Sequence, residues 1–189
     1  VVTMRDITER DQAERKIRAQ LAHLSLLDRI TRAIGERQDL RSIFQVVIRS
    51  LEDSLPIDFG CVCLYDRPRN VLQVACVGIW SEPLAMELAL SEQASIDIDG
   101  NGLGRCVRGQ LVYEPDIGQA RFPFPERLAR GGQRSLVLAP LQSESLIFGV
   151  LVAARREAHA FSSVECEFLR QLSGHVALAA HQAQLYGAL

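Results

Sequence analysis

The sequence predicts an α+β domain, a central antiparallel hairpin flanked by long helices, and three observations carry that expectation. The stretch 133–154 (QRSLVLAPLQSESLIFGVLVAA) holds two apolar, β-rich runs, 135–141 and 146–154, joined by the polar link Gln142-Ser143-Glu144-Ser145. Apolar runs this close across a polar tip are a hairpin signal, and runs apolar almost throughout fit strands covered on both faces. Towards the two ends of the chain, apolar residues recur three and four apart, the spacing of a helix face. Gly149 inside the second run and Pro140 near the end of the first predict a bulge or a close backbone approach there.

Composition bounds the rest. The chain has 189 residues, 48% of them hydrophobic, enough for one ordinary domain and an appendage. With 23% charged residues and a formal net charge of −2, it carries no field that would attract nucleic acid or an anionic membrane. Its longest apolar run, 146–154, is too short to span a bilayer, and no signal peptide is expected. The chain begins at Val1 in mid-pattern and reads as a piece of a longer protein. Cys61, Cys63, Cys76, Cys106 and Cys166 form an odd count, mostly in apolar or helical contexts; free thiols of a cytoplasmic protein are the expectation.

In chain order, residues 1–8 read as a short β-prone run that ends at Asp6 and turns into a charged helix. From Thr8 to Glu36 there is no Pro, and Ile17, Leu21, Leu24, Leu27, Ile30 and Ile34 form one stripe. Such a helix is about 40 Å long at 1.5 Å per residue, longer than a small domain needs for itself, so it is expected to pair with another helix. Gln38–Asp39 opens a second helix through Leu40, Ile43, Phe44, Val47, Ile48, Leu51 and Leu55, stopped by Pro56. Strands follow at 58–66 and 71–79 across the turn Arg67-Pro68-Arg69-Asn70. From Trp80 to Arg130, a helical patch at 83–90 and a short strand at 110–113 sit among Gly- and Pro-rich loops, and long irregular stretches in a compact domain usually serve a site. After the hairpin, Ser162 and Glu165 form a capping box with Phe161 as its hydrophobic staple. Leu169, Leu172, Val176, Ala179, Ala183 and Tyr186 then carry a last helix to the end of the chain.

Within this order, Gly102-Leu103-Gly104-Arg105-Cys106-Val107-Arg108-Gly109, Glu114-Pro115-Asp116-Ile117, 134–141 (RSLVLAPL), Phe148-Gly149-Val150-Leu151 and Phe161-Ser162-Ser163-Val164-Glu165 resemble the GAF domain over roughly 20–187. The resemblance implies a six-stranded antiparallel sheet with helices on both faces and a ligand pocket between the sheet and the loop region. Residues 2–10 (VTMRDITER) look like the exit of a PAS domain into a signalling helix. Together they imply a bacterial multidomain sensor, often a histidine kinase, sometimes a hybrid kinase or a cyclic-di-nucleotide enzyme. The expected division is the end of a PAS domain at 1–8, a coiled-coil-like linker helix at 9–37, and a GAF domain at 38–187 whose final helix, 162–187, leads towards an output module.

Candidate chemistry is sparse. Cys61 and Cys63 face one way on their strand. They read as a redox pair or as core packing, and packing is preferred because a same-strand disulfide is strained. Cys106 reads as a lone reactive thiol or as a buried helix residue. GAF-type reductases of free methionine sulfoxide use cysteines of the loop region, where this chain has Cys106 alone. Bilin-binding GAF domains use a Cys-His pair, and Phe122 and Pro123 stand near those positions, so covalent bilin is not expected. The Asn-Lys…Phe…Asp-Glu pattern of cyclic-nucleotide GAF domains is missing, since Lys16 is the one lysine. His23, His159, His175 and His181 fall on flanking helices or a loop, so no haem is expected, and no phosphoacceptor motif surrounds His175 or His181. No metal-spaced cluster or phosphate loop is present.

The expected pocket draws aromatic walls from Trp80, Tyr113, Phe122 and Phe124, and polar groups from Arg105, Asp116, Arg134 and Ser135, with Cys106 beside them. Each has a structural alternative: a cap on the sheet, a turn, or a surface ion pair. A homodimer is expected through Ile17, Leu21, Leu24, Leu172, Val176, Ala179 and Ala183. The function read from this is a non-catalytic sensor that binds an unknown small ligand, or only dimerises, and relays through its flanking helices. The alternatives are a small redox enzyme and the regulatory domain of a cyclic-di-nucleotide enzyme.

Overall fold

A computed structural model describes residues 4–100 and 102–187. Helices α1 (Met4–Gly35) and α2 (Leu40–Ser54) precede strands β1 (Phe59–Asp66) and β2 (Val71–Val77). Short elements follow: α3 (Glu82–Glu87), β3 (Ser95–Asp97), α4 (Gly102–Cys106), β4 (Val112–Glu114) and α5 (Pro123–Arg130). The hairpin β5 (Ser135–Ser143) and β6 (Leu146–Arg155) leads to α6 (Ser163–Gly187). One six-stranded antiparallel sheet runs β3-β2-β1-β6-β5-β4.

The sheet separates two apolar layers, and strand alternation assigns each residue to one of them. Val62, Val137, Ala139, Leu141, Leu151 and Ala153 face α1, α2 and α6. Cys61, Cys63, Leu136, Leu138, Val150, Val152 and Ala154 face a cap built by α3, α4, α5 and their loops. This two-sided burial explains why β5 and β6 read as continuous apolar runs. Gly149 lies where a Cβ would stand 2.3 Å from the Cys63 carbonyl oxygen, so the close approach of β6 to β1 needs a glycine. The β5–β6 register shifts at Leu141/Gln142, beside the pair Leu141–Gly149.

Helix boundaries follow their caps. The Asp39 side chain accepts the Ser42 N–H at 2.9 Å and starts α2. At α6 the Glu165 N–H donates to Ser162 Oγ, and the Ser162 N–H donates to Glu165 Oε1, both at 3.1 Å; Phe161 is buried beside them.

Two expectations change at the ends of the chain. Helix α1 begins at Met4 rather than after Asp6, so Met4–Thr8 is not strand; the rest of the proposed PAS exit, Val1–Thr3, lies outside the described residues. The single stripe expected on α1 also divides. Leu26, Leu27, Ile30 and Ile34 are buried against this domain's own helices, whereas Ile17, Leu21 and Leu24 are 55%, 60% and 54% exposed. On α6, Leu172, Val176 and Ala183 are buried and Ala179 packs against the same layer. The small side chains of α6 thus permit close approach to β5, α1 and α2 of the same chain. What α6 leaves exposed is Leu178, Leu185 and Tyr186.

Candidate functional site

The layer between sheet and cap is closed to solvent. Leu90, Leu103, Cys106, Ile117, Phe124 and Leu128 reach it from the cap and are at most 2% exposed. Helix α4 rests directly on the sheet: a Cβ on Gly102 would stand 3.4 Å from Leu138 Cδ1.

Of the nine residues expected to line a pocket, the structure puts Cys106 and Phe124 in this layer and disperses the rest. Trp80 stands at a turn, 76% exposed. Its N–H donates to Glu52 Oε1 at 3.1 Å; Ser81 Oγ donates to the same oxygen at 3.2 Å and accepts the Gly60 N–H at 2.9 Å. Glu52 of α2 therefore pins the start of the cap to the sheet, leaving the indole outside. Phe122 is 38% exposed ahead of α5. Tyr113 lies on the other face, edge-on to Phe161 with ring centroids 6.1 Å apart. Ser135 shares the register of Val137 and so faces the long helices; it is buried, and its hydroxyl has no protein partner.

The three remaining residues make ion pairs. Arg134 donates to both oxygens of Asp116, from Nε at 2.9 Å and Nη2 at 2.8 Å, and the Gly118 N–H donates to Asp116 Oδ1. These bonds, the one from Arg134 first, hold the Asp116 carboxyl down at about 2. Backbone bonds continue the clasp: the Ile117 N–H donates to the Arg134 carbonyl, and the Arg134 N–H donates to that of Arg155. Arg105 reaches Glu114 at 3.1 Å, while its Nε is buried without a protein partner. The polar residues read as ligand contacts are thus committed to holding the cap.

Two of the buried thiols are held away from ionisation. Burial, with a smaller contribution from Cys63, pushes Cys106 up to about 12. The hydrogen bond to Cys63 and burial raise Cys61 well above its usual value. Nucleophilic chemistry needs the thiolate, so neither is poised for it. Among the described residues, no group of three or more His, Cys, Asp or Glu side chains is placed to hold a metal ion, and no helix is long and apolar enough to cross a membrane.

Sequence reasoning missed two polar features. Gln133 is fully buried, with neither its amide nitrogen nor its oxygen paired to protein. It follows Gly131-Gly132, which read as loop. Arg155 is 7% exposed. It donates to the carbonyls of Pro56 (2.6 Å) and Ala160 and to Glu165, and lies 4.3 Å over the Phe161 ring. This arginine ties β6, the chain ahead of β1, and the start of α6 together.

The remaining candidate is the seam of α1 and α6. A cleft of about 250 Å³ opens between them, lined by Gln20, His23, Leu24, Val164, Phe168 and Gln171, with Glu167 at the rim. His23 stacks on Phe168 at 5.0 Å. Two turns further on, Thr31 Oγ1 donates to the Leu27 carbonyl at 2.7 Å and stands 3.4 Å from His175 Nδ1.

Comparison with known proteins agrees with this architecture. A family model described as GAF domain matches residues 37–181. The circadian input-output histidine kinase CikA of Thermosynechococcus vestitus is 23% identical over 181 residues, covering 87% of this chain and 24% of that protein. The chain therefore spans about a quarter of that relative's length. Among solved structures, the GAF domain of a phosphoenolpyruvate-protein phosphotransferase from Coxiella burnetii superposes with a TM-score of 0.74 at 20% identity, covering 90% of this chain and 99% of that one. The free methionine-R-sulfoxide reductase of Neisseria meningitidis gives 0.69 at 16% identity, covering 87% and 91%. At these identities the structural likenesses speak for the fold alone, and it is the family match over most of the chain that establishes membership: the chain belongs to the GAF domain family.

Proposed function

We propose that this GAF domain is a non-catalytic regulatory module of a longer bacterial signal-transduction protein, a sensor histidine kinase in the first instance, and that it works as a homodimer relaying through α1 and α6. The observation that carries the reading is the division of α1. From Met4 to Ser25 every residue is exposed except half-buried His23, and from Leu26 onward the inward face joins the core. A helix that is bare over its first half and embedded over its second transmits to the core whatever its bare half contacts. Most helical stability in proteins comes from packing an apolar face, and Ile17, Leu21 and Leu24 give the bare half an apolar stripe for a second copy. The similarity to CikA supports the kinase context. A catalytic reading gains nothing from Cys61 and Cys106 as they stand, since both are held protonated. A small ligand under the cap would have to part α4 from the sheet.

Sedimentation equilibrium tests the reading. The chain is expected to dimerise, and the variant I17K/L21K/L24K to be a monomer with an unchanged circular-dichroism melt of the domain. A wild-type chain monomeric at every concentration would remove the basis for the relay.

A further inference from the structure

The two thiols of β1 form a pair that nothing above uses. Cys61 and Cys63 are free, fully buried, and directed into the layer beneath the cap, with their sulfurs 3.9 Å apart. The β1–β2 register shifts between Val62 and Cys63, an irregular point at which two same-side residues can lean together. A disulfide suits the pair poorly, because residues two apart on a strand have Cα atoms about 6.7 Å apart, at the outer limit of disulfide geometry. One bridging atom suits it well. Two sulfurs bound at about 2.3 Å to a single atom lie about 3.8 Å apart at a tetrahedral angle and closer at the narrower angle of a pyramidal trivalent centre, so the pair has to draw together by a fraction of an ångström.

Charge decides which atom. The side chains clustered in this layer are hydrophobic, so a monovalent soft cation on two thiolates would leave a negative charge buried in apolar surroundings. Zinc would require four ligands, and no third metal-binding side chain joins the pair. A neutral electrophile that leaves a neutral product escapes both costs. We propose that Cys61 and Cys63 form a two-thiol site for trivalent arsenic compounds bearing two exchangeable hydroxyl groups. In the exchange two As–O bonds break and two As–S bonds form. Each thiol proton departs on a hydroxide as water, arsenic stays trivalent, and no net charge is created. Apolar surroundings oppose an anionic metal complex but leave this neutral exchange balanced. Both thiols are fully buried, so the adduct forms as the cap lifts from the sheet; the site otherwise stands independently of the relay reading.

The test is native mass spectrometry of the whole chain, reduced with a phosphine rather than a dithiol, then exposed in parallel to arsenite and to phenylarsine oxide. A one-to-one adduct is expected that survives a monothiol wash, disappears in C61A and in C63A, and persists in C166A. Because a core substitution can itself disturb folding, the wild-type adduct is also digested and mapped, and the arsenic is expected on the peptide that contains both Cys61 and Cys63. An adduct with arsenite alone would restrict the class to the inorganic form and still support the site. No adduct on the folded chain, an adduct formed only in denaturant, or one mapping to Cys76, Cys106 or Cys166 would overturn it. Loss of dimerisation in I17K/L21K/L24K with the adduct retained would show that the two proposals stand or fall separately.

Discussion

The two faces of the sheet are built on different principles. On one, three helices supply long apolar stripes, and their packing is made of Leu, Ile, Val, Phe and Ala contacts that any one residue contributes to modestly. On the other, short elements cover an equally dry layer but are held in place at a few polar points: Glu52 to Trp80 and Ser81, Asp116 to Arg134, Arg105 to Glu114. The difference teaches where each kind of change can occur. The helical face is one continuous apolar layer joining α1, α2 and α6, while the cap is held by a few separate clasps, so a change on the first face should be felt globally and a change in the second locally.

Substitutions break or sharpen that contrast in descending order of effect. Gly149 lies on the sheet that both faces share, so Gly149→Val should fail to fold or lose more than about 3 kcal/mol, read as insolubility or loss of the thermal transition. Arg155→Ala removes a buried guanidinium and strands Glu165; about 3 to 5 kcal/mol is expected by urea titration, the range for breaking a buried pair. Leu172→Ala on the helical face and Leu103→Ala in the cap delete the same atoms from equally buried sites. The first should cost about 2 to 5 kcal/mol of global stability. The second should show itself first as faster amide exchange confined to the cap. Arg134→Ala is the mildest: its pair with Asp116 is solvent-exposed, so the melt should hardly move, while the Gly118 amide exchanges faster.

Acid acts on the pair that Arg155 makes with Glu165. Burial pulls the Glu165 carboxyl up, but its hydrogen bonds from Arg155 and Ser162 more than offset this, so its folded pKa lies below the ordinary value. A carboxylate with a depressed folded pKa contributes stability above its unfolded pKa, about 4.3 for Glu, and loses it as pH falls through the folded one. Urea midpoints should therefore fall below about pH 4.3, and Arg155→Ala should flatten that dependence.

The same contrast decided what was legible in the sequence. Helices α2 and α6 and the β5–β6 hairpin were written in period and caps: the Ser162–Glu165 box, Asp39, and the unbroken apolar runs. The cap was written poorly. Strand β3, Ser95–Asp97, is too short to show a period, and Phe122-Pro123-Phe124-Pro125 read as loop although Pro in the first turn starts α5. Ligand-like residues were misplaced because exposure and strand face are set by tertiary register: Tyr113 and Ser135 lie on the far face, and Trp80 points outward. On α1 one periodic stripe contained two, since Leu24 and Leu27 are neighbours in the pattern but sit on different sides of the point where the helix enters the core.

The account rests on the bare half of α1 being covered by a second copy. Hydrogen exchange across residues 4–25, measured over a concentration series, tests this most directly. The account predicts protection that rises with concentration and is abolished by I17K/L21K/L24K, with residues 26–34 protected throughout. Rapid exchange of residues 4–25 at every concentration, in a chain whose core remains protected, would contradict it.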